Sequence, residues 1–131
     1  MSASINELLK YAVESKASDL HLSSGSIPMV RIDGVMQTLQ LPIMTDENML
    51  SISQEVLNDN QSKILSDRLE IDFSYELDKF GRFRVNFFHQ INGLAASFRI
   101  IPSAVLTSEE LGIHPIINDL AFMDKGLILL T

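Results

Sequence analysis

Residues 71–77 alternate without a break: Ile71, Phe73, Tyr75 and Leu77 are apolar, and Asp72, Ser74 and Glu76 are polar. Successive side chains on a strand point to opposite faces, so a period of two describes a strand with one face in a core and one in water. No helix accommodates it. Asp78 to Gly81 then reads as a turn, Arg82 to Gln90 as a second strand, Asn92-Gly93 as a hairpin turn, and Leu94 to Ile101 as a third strand that Pro102 ends. Three such strands in succession make an antiparallel meander. Any fold for this chain has to be built on a sheet.

The segments before the meander supply its cover. Ser4 stands three residues before Glu7, the capping-box spacing, and Ile5, Leu8, Leu9, Ala12 and Val13 follow as one apolar stripe. This predicts a helix stopping near Ser15 or Lys16. Asp19-Leu20-His21-Leu22 alternates as a half-buried strand does. Met29 to Ile32 and Val35 to Leu39 flank Asp33-Gly34, a dipeptide suited to the two positive φ values of a type I′ hairpin. Thr45 caps a second helix with Asp46 and Glu47 in its first turn, favourably placed for the helix dipole. A third helix is expected from Asn60 or Gln61 to Leu69. With 131 residues, 46% of them apolar, the chain suffices for one compact domain and not for two.

After Pro102 the texture changes. Thr107 and Glu110 repeat the capping-box spacing before Gly112, and Pro115 suits the first turn of a helix through about Phe122. Gly126 to Thr131 is a nearly unbroken apolar run, the pattern of a strand buried on both faces of a parallel sheet. A central strand without the rest of its sheet suggests that the chain stops inside a second domain.

Several function classes are disfavoured. There is no cysteine, which removes a disulfide scaffold, a thiolate metal site and a cysteine nucleophile together. Acidic residues outnumber basic ones 17 to 10, for a net charge of -7, so general nucleic-acid binding is disfavoured. No apolar run approaches the ~20 residues of a membrane span, and no secretory signal opens the chain, so a cytoplasmic protein is expected. His21, His89 and His114 show no metal-ligand spacing, no Gly-rich phosphate loop occurs, and no nucleophile motif accompanies the scattered Ser, His and Asp residues.

One constellation carries chemistry. If Asn92-Gly93 is a two-residue loop, Ile91 pairs with Leu94, Asn86 faces Arg99 and Arg84 faces Ile101. Phe83, Val85 and Phe87 then share one face with Phe98 and Ile100, while Arg82, Arg84, Asn86, Phe88 and Arg99 share the other. Arg84 and Arg99 become diagonal neighbours. Three of the five arginines of an acidic chain thus lie on one sheet face. Each guanidinium offers a permanent charge and a donor fork that fits phosphate or carboxylate. Two readings fit: an anion site, such as one for a nucleotide phosphate, or a salt-bridged face with Asp72, Glu76 or an interface acid as partner.

The order of several segments adds a resemblance. Glu7-Leu8-Leu9 with Ala12-Val13, Ala17-Ser18-Asp19-Leu20-His21-Leu22-Ser23, Pro28-Met29-Val30-Arg31-Ile32-Asp33-Gly34, Gly81-Arg82-Phe83-Arg84-Val85-Asn86, and Phe98-Arg99-Ile100-Ile101-Pro102 with Leu111-Gly112 follow one another at natural spacing. Together they resemble the amino-terminal region of type IV pilus retraction ATPases, the twitching-motility motors, over nearly the whole chain. Type II secretion and pilus-extension ATPases share weaker versions of the arginine strands. One departure is Ser26-Ile27-Pro28, where the family often carries two prolines.

The resemblance implies an α+β fold: a PAS-like antiparallel sheet of five or six strands with helices packed on one face, over residues 1–102. It implies an interdomain linker at 103–113 and the truncated start of a RecA-like ATPase domain at 114–131. It further implies a homo-hexamer in which this domain meets ATPase domains of its own and neighbouring subunits, docked on the inner-membrane platform at the pilus base, cytoplasmic and peripheral to that membrane. The family's phosphate-approaching arginines fall on Arg84 and Arg99, with Arg82 a third, which favours the anion reading. ATP and magnesium are expected for the full-length parent, with no catalytic or metal-ligating residue in this stretch. The family's Walker A lysine, magnesium ligands and acidic and histidine boxes would follow Thr131, so the chain by itself is not expected to hydrolyse ATP. A free-standing PAS-like sensor is the rival module, and it would need a polar internal cavity that the Phe, Leu, Ile and Val face does not offer.

Overall fold

A computed structural model of the chain describes residues 4–129 and 131. Its order is α1 (Ile5–Glu14), β1 (Asp19–Ser23), β2 (Met29–Ile32), β3 (Val35–Thr38), α2 (Asp46–Val56), α3 (Asp59–Arg68), β4 (Glu70–Leu77), β5 (Gly81–Gln90), β6 (Gly93–Ile101) and α4 (Ile116–Ala121). The strands form one six-stranded antiparallel sheet in the order β3-β2-β1-β6-β5-β4. Two meanders, β1-β2-β3 and β4-β5-β6, are thus joined where β1 pairs with β6. The fold is α+β, with α1, α2 and α3 packed against one face of the sheet.

Local chemistry accounts for the elements. The Ser4 and Glu7 side chains exchange hydrogen bonds with each other's backbone N–H, closing the capping box of α1. Thr45 with Asn48 and Asn58 with Gln61 close equivalent boxes on α2 and α3, so α3 starts at Asp59, slightly ahead of the expected position. Asp33 and Gly34 take φ values of 49° and 80°, the I′ geometry their sequence predicts.

Ile5, Leu9, Met49, Leu20, Leu22, Val30, Phe83, Val85, Phe87 and Phe98 are fully enclosed in one core. Phe87 meets Phe98 edge-on, with ring centroids 6.0 Å apart. Burying large aromatic side chains between sheet and helices contributes about 1.5–3 kcal/mol each. The inward set matches the expected one, including Phe83, Val85, Phe87 and Phe98.

Residues beyond the sheet differ from it. From Ile101 to Leu129 no residue is buried. The Thr107–Glu110 capping box forms, yet it holds a single turn and not an α-helix, because no apolar face of that turn finds a partner. Gly126 to Leu129 joins no ladder, with Leu127 and Leu129 largely exposed; Leu130 lies outside the described residues.

The hairpin between β5 and β6 departs from the expected register. Gln90 pairs with Gly93, leaving Ile91 and Asn92 as the loop, and Arg84 stands directly opposite Arg99. A type I′ turn at Asn92-Gly93 would need positive φ at both residues, but only Gly93 has it, at 114°. The ladder shifts by two positions, so every side chain keeps its predicted face. The arginines are cross-strand partners and not diagonal neighbours.

Candidate functional site: an arginine row on the open sheet face

The sheet face opposite the three helices carries the charges. Because β1 sits between β2 and β6, a transverse row runs Arg31, Asp19, Arg99, Arg84, Ser74 across five strands, each residue paired with the next in the ladder. A parallel row holds Met29, His21, Ser97, Asn86 and Asp72. Arg82 belongs to a third, between Glu76 and Ile101. Four of the five arginines therefore lie on this face, together with Asp19, Asp72 and Glu76. The sequence reading included three of them; Arg31 joins because β2 pairs with β1.

Each central arginine is steadied by a carboxylate on its outer side. Arg84 donates from Nε and Nη2 to the two oxygens of Asp72, at 3.1 and 2.8 Å. Arg99 donates from Nε to Asp19 Oδ1 at 3.0 Å. Asp19 Oδ2 accepts from the Ser18 hydroxyl at 2.8 Å and faces Arg31 Nε at 3.4 Å. The intramolecular partner of Arg84 is Asp72, one of the acids the salt-bridge reading named; that of Arg99 is Asp19. Among the described residues Arg82 makes no ion pair.

These pairs orient the guanidinium groups without enclosing them. The Arg84 and Arg99 side chains remain 63% and 68% exposed, whereas the Asp19 side chain is only 10% exposed. Each pair thus leaves well over half of the arginine side chain open to solvent. The face therefore combines an internal salt-bridge network with an open approach for an anion. An arginine fork is the geometry that planar or tetrahedral oxyanions fit.

Burial alone would raise the Asp19 carboxyl, but the Ser18 hydroxyl and Arg99 outweigh it and hold the pKa below the ordinary value. The Arg84 hydrogen bond lowers the Asp72 carboxyl and raises the guanidinium. His21, between these groups, is driven toward its neutral form by burial and by Arg31 and Arg99, against the pull of Asp19. Its Nε2 is buried without a hydrogen-bond partner. Among the described residues no cluster of three His, Asp or Glu side chains is arranged to hold a metal ion, and no helix is long and apolar enough to cross a membrane.

The chain is similar to proteins of known function along almost its entire length. It is 42% identical over 127 residues to the type IV pilus retraction ATPase PilT of Pseudomonas aeruginosa, covering 97% of this chain and 37% of that protein. It is 44% identical over 104 residues to a twitching motility protein of Neisseria gonorrhoeae, covering 79% of this chain and 28% of that one. The crystal structure of the pilus retraction motor PilT with bound ADP superposes with a TM-score of 0.77 at 32% identity, over 93% of this chain and 36% of that one. No protein-family model matches. The chain thus spans between 28% and 37% of the length of these relatives. By sequence along nearly all its residues and by the topology of its sheet, the chain belongs to the PilT-like ATPases as an amino-terminal domain.

Proposed function

We propose that this domain is the regulatory and assembly part of a hexameric ATPase that drives type IV pilus retraction and twitching motility. In this reading residues 1–102 are the PAS-like domain, 103–113 the linker, and 114–131 the beginning of a RecA-like ATPase domain. Support for the division comes from the sheet ending at Ile101 and from the lack of buried residues beyond it. The protein would act in the cytoplasm, at the inner-membrane platform of the pilus machine.

The observation that carries the reading is the open arginine pair. Arg84 and Arg99 stand side by side on the sheet face opposite the three helices, with most of each side chain open to solvent. ATP and magnesium would be held by the ATPase domain, and Arg84 and Arg99, with Arg82 beside them, would meet the phosphates when that domain or its neighbour closes on this face. The guanidinium donors suit phosphate oxygens. Bound ATP supplies a dense, multiply charged anion. A rigid-body rotation about the linker would bring the arginines to it or withdraw them, and so couple domain motion to nucleotide state.

The test uses the full-length protein that contains this chain. Arg84→Ala or Arg99→Ala is expected to lower ATPase turnover by about a hundredfold or more, the order seen when a charge-stabilising donor is lost from a phosphoryl-transfer or acyl-transfer site. The Arg84–Asp72 pair is exposed on both sides, so Arg84→Ala should change thermal unfolding little, whereas Arg99→Ala takes a cation from the buried Asp19 carboxylate and should lower the melting temperature. Turnover equal to the parent protein would remove these arginines from the mechanism.

A further inference from the structure

We propose that Asp19 is a positioning residue of this site, and that by sharing one buried carboxylate between Arg31 and Arg99 it fixes both the direction and the net charge that Arg99 presents to a phosphate. The inference rests on the reading of Arg99 as a phosphate contact.

The three residues come from three adjacent strands. Asp19 on β1 is paired with Arg31 on β2 and with Arg99 on β6, 80 positions away. It is 7% exposed, one of few buried polar residues of the domain. A carboxylate in such a place has to be matched by cations and donors. Ser18 and Arg99 would suffice to match it. With those alone, however, the Arg99–Asp19 pair would be neutral overall and would attract an incoming anion weakly. Arg31 supplies the surplus. Two guanidinium groups on one carboxylate leave the triad with one net positive charge, and Arg99, with its side chain 68% exposed, is the member that projects furthest into solvent; the Arg31 side chain is 39% exposed.

The geometry also fixes the direction of Arg99. Its Nε is engaged by Asp19 Oδ1 at 3.0 Å, on the side away from Arg84. Arg84 is drawn the opposite way, toward Asp72 on β4. Two like charges on facing positions of neighbouring strands are thereby drawn to either side of the β5–β6 seam, which lowers their mutual repulsion. His21, the other titratable group beside the triad, carries a buried Nε2 with no partner, and its neutral form leaves the triad's charge unchanged.

The experiment is a double-mutant cycle in the full-length protein, with kcat and KM for ATP measured separately. Asp19→Asn keeps the side chain's size and removes its charge. It is expected to lower kcat by about ten- to a hundredfold, the usual cost of losing the partner that orients a functional group. KM should stay within about twofold if the ATPase domain does the ground-state binding. The combination D19N/R99A should turn over no more slowly than Arg99→Ala alone, because the first change acts through the second residue. Arg31→Ala, which removes the surplus charge but leaves the Asp19–Arg99 pair, should lower kcat several-fold without changing thermal stability by much. Arg99→Ala turning over at the parent rate would remove the phosphate reading itself. A slow Arg99→Ala together with a fully active Asp19→Asn would leave that reading in place and overturn the positioning role. Additive losses would overturn it as well, since they would mean that Asp19 acts through the fold. If Asp19→Asn does not fold, Arg31→Ala decides: reduced kcat in a stably folded protein supports the triad, and unchanged kcat refutes it.

Discussion

Gly93 offers a sharp test of how the hairpin is set. Its φ of 114° lies in the region that L side chains rarely adopt, and a Cβ built there would stand 2.6 Å from Asp46 Oδ1 and 3.0 Å from Ser24 Cβ. Asp46 begins α2 and accepts the hydroxyl of Ser24, which is 4% exposed at the end of β1. Gly93→Ala therefore carries two costs. The backbone conformation costs about 1–2 kcal/mol. Displacing Asp46 into solvent leaves the buried Ser24 hydroxyl without its acceptor, for about 1–3 kcal/mol more. Gly81 separates the two. Its φ is 111°, nearly the same, and a Cβ there meets nothing within 4 Å. Gly81→Ala should then cost about 1–2 kcal/mol and Gly93→Ala roughly 2–5 kcal/mol in urea-induced unfolding of the isolated chain. The difference between the variants measures the contact with Asp46 and Ser24. On an Asp46→Ala background, where the Ser24 acceptor is already gone, Gly93→Ala should cost less than it does in the parent chain. Equal losses for the two glycine variants, or the same Gly93→Ala loss on both backgrounds, would show that α2 does not hold the hairpin.

Two other expectations concern the intact chain. Stability should fall with acid in two windows. His21 is depressed in the folded state, so the unfolded chain binds its proton first, and stability declines as pH drops below about 6.5. Asp19 and Asp72 are also depressed; their contribution is complete above the unfolded carboxylate value near 4 and is lost as pH falls through their lower folded values. Urea midpoints measured from pH 7.5 to 3 would show both, and His21→Gln should flatten the upper window; a midpoint independent of pH from 7.5 to 5 would refute the assignment. Deleting residues 114–131 should leave the melting temperature nearly unchanged, because none of those described is buried. A drop of many degrees would place them in the core of this domain.

Local chemistry was readable where it was self-contained. The Ser4–Glu7 box, the Asp33-Gly34 turn and the alternation of β4 are each decided by residues within a few positions of one another. The assignment of arginines to a face was equally secure, since it depends only on parity along a strand. The register of Arg84 against Arg99 was not. Asn92-Gly93 has the composition of an I′ turn, but Gly93 is drawn against Ser24 and Asp46, and Gln90 donates to Ser23, so contacts from β1 and α2 decide the loop. The N-cap Asn58 of α3, and the box partners Asn48 and Gln61, follow the capping-box rule in amide form, which a search for Glu alone overlooks. Arg31 and Asp19 entered the site through the β1–β2 and β1–β6 pairings, and no local pattern announces a contact between residues 80 apart.

The acids that accompany the arginines set a threshold for whatever approaches them. A singly charged ion brings no more charge to Arg84 than the Asp72 carboxylate already at 2.8 Å, so exchanging one for the other gains little. A polyphosphate brings several negative charges at once and can engage both guanidinium groups without evicting either acid. Chloride and metabolite carboxylates in the surrounding solution would then leave the surface at rest. If the arginine pair meets a phosphate as proposed, the intramolecular ion pairs would act as a filter on charge density.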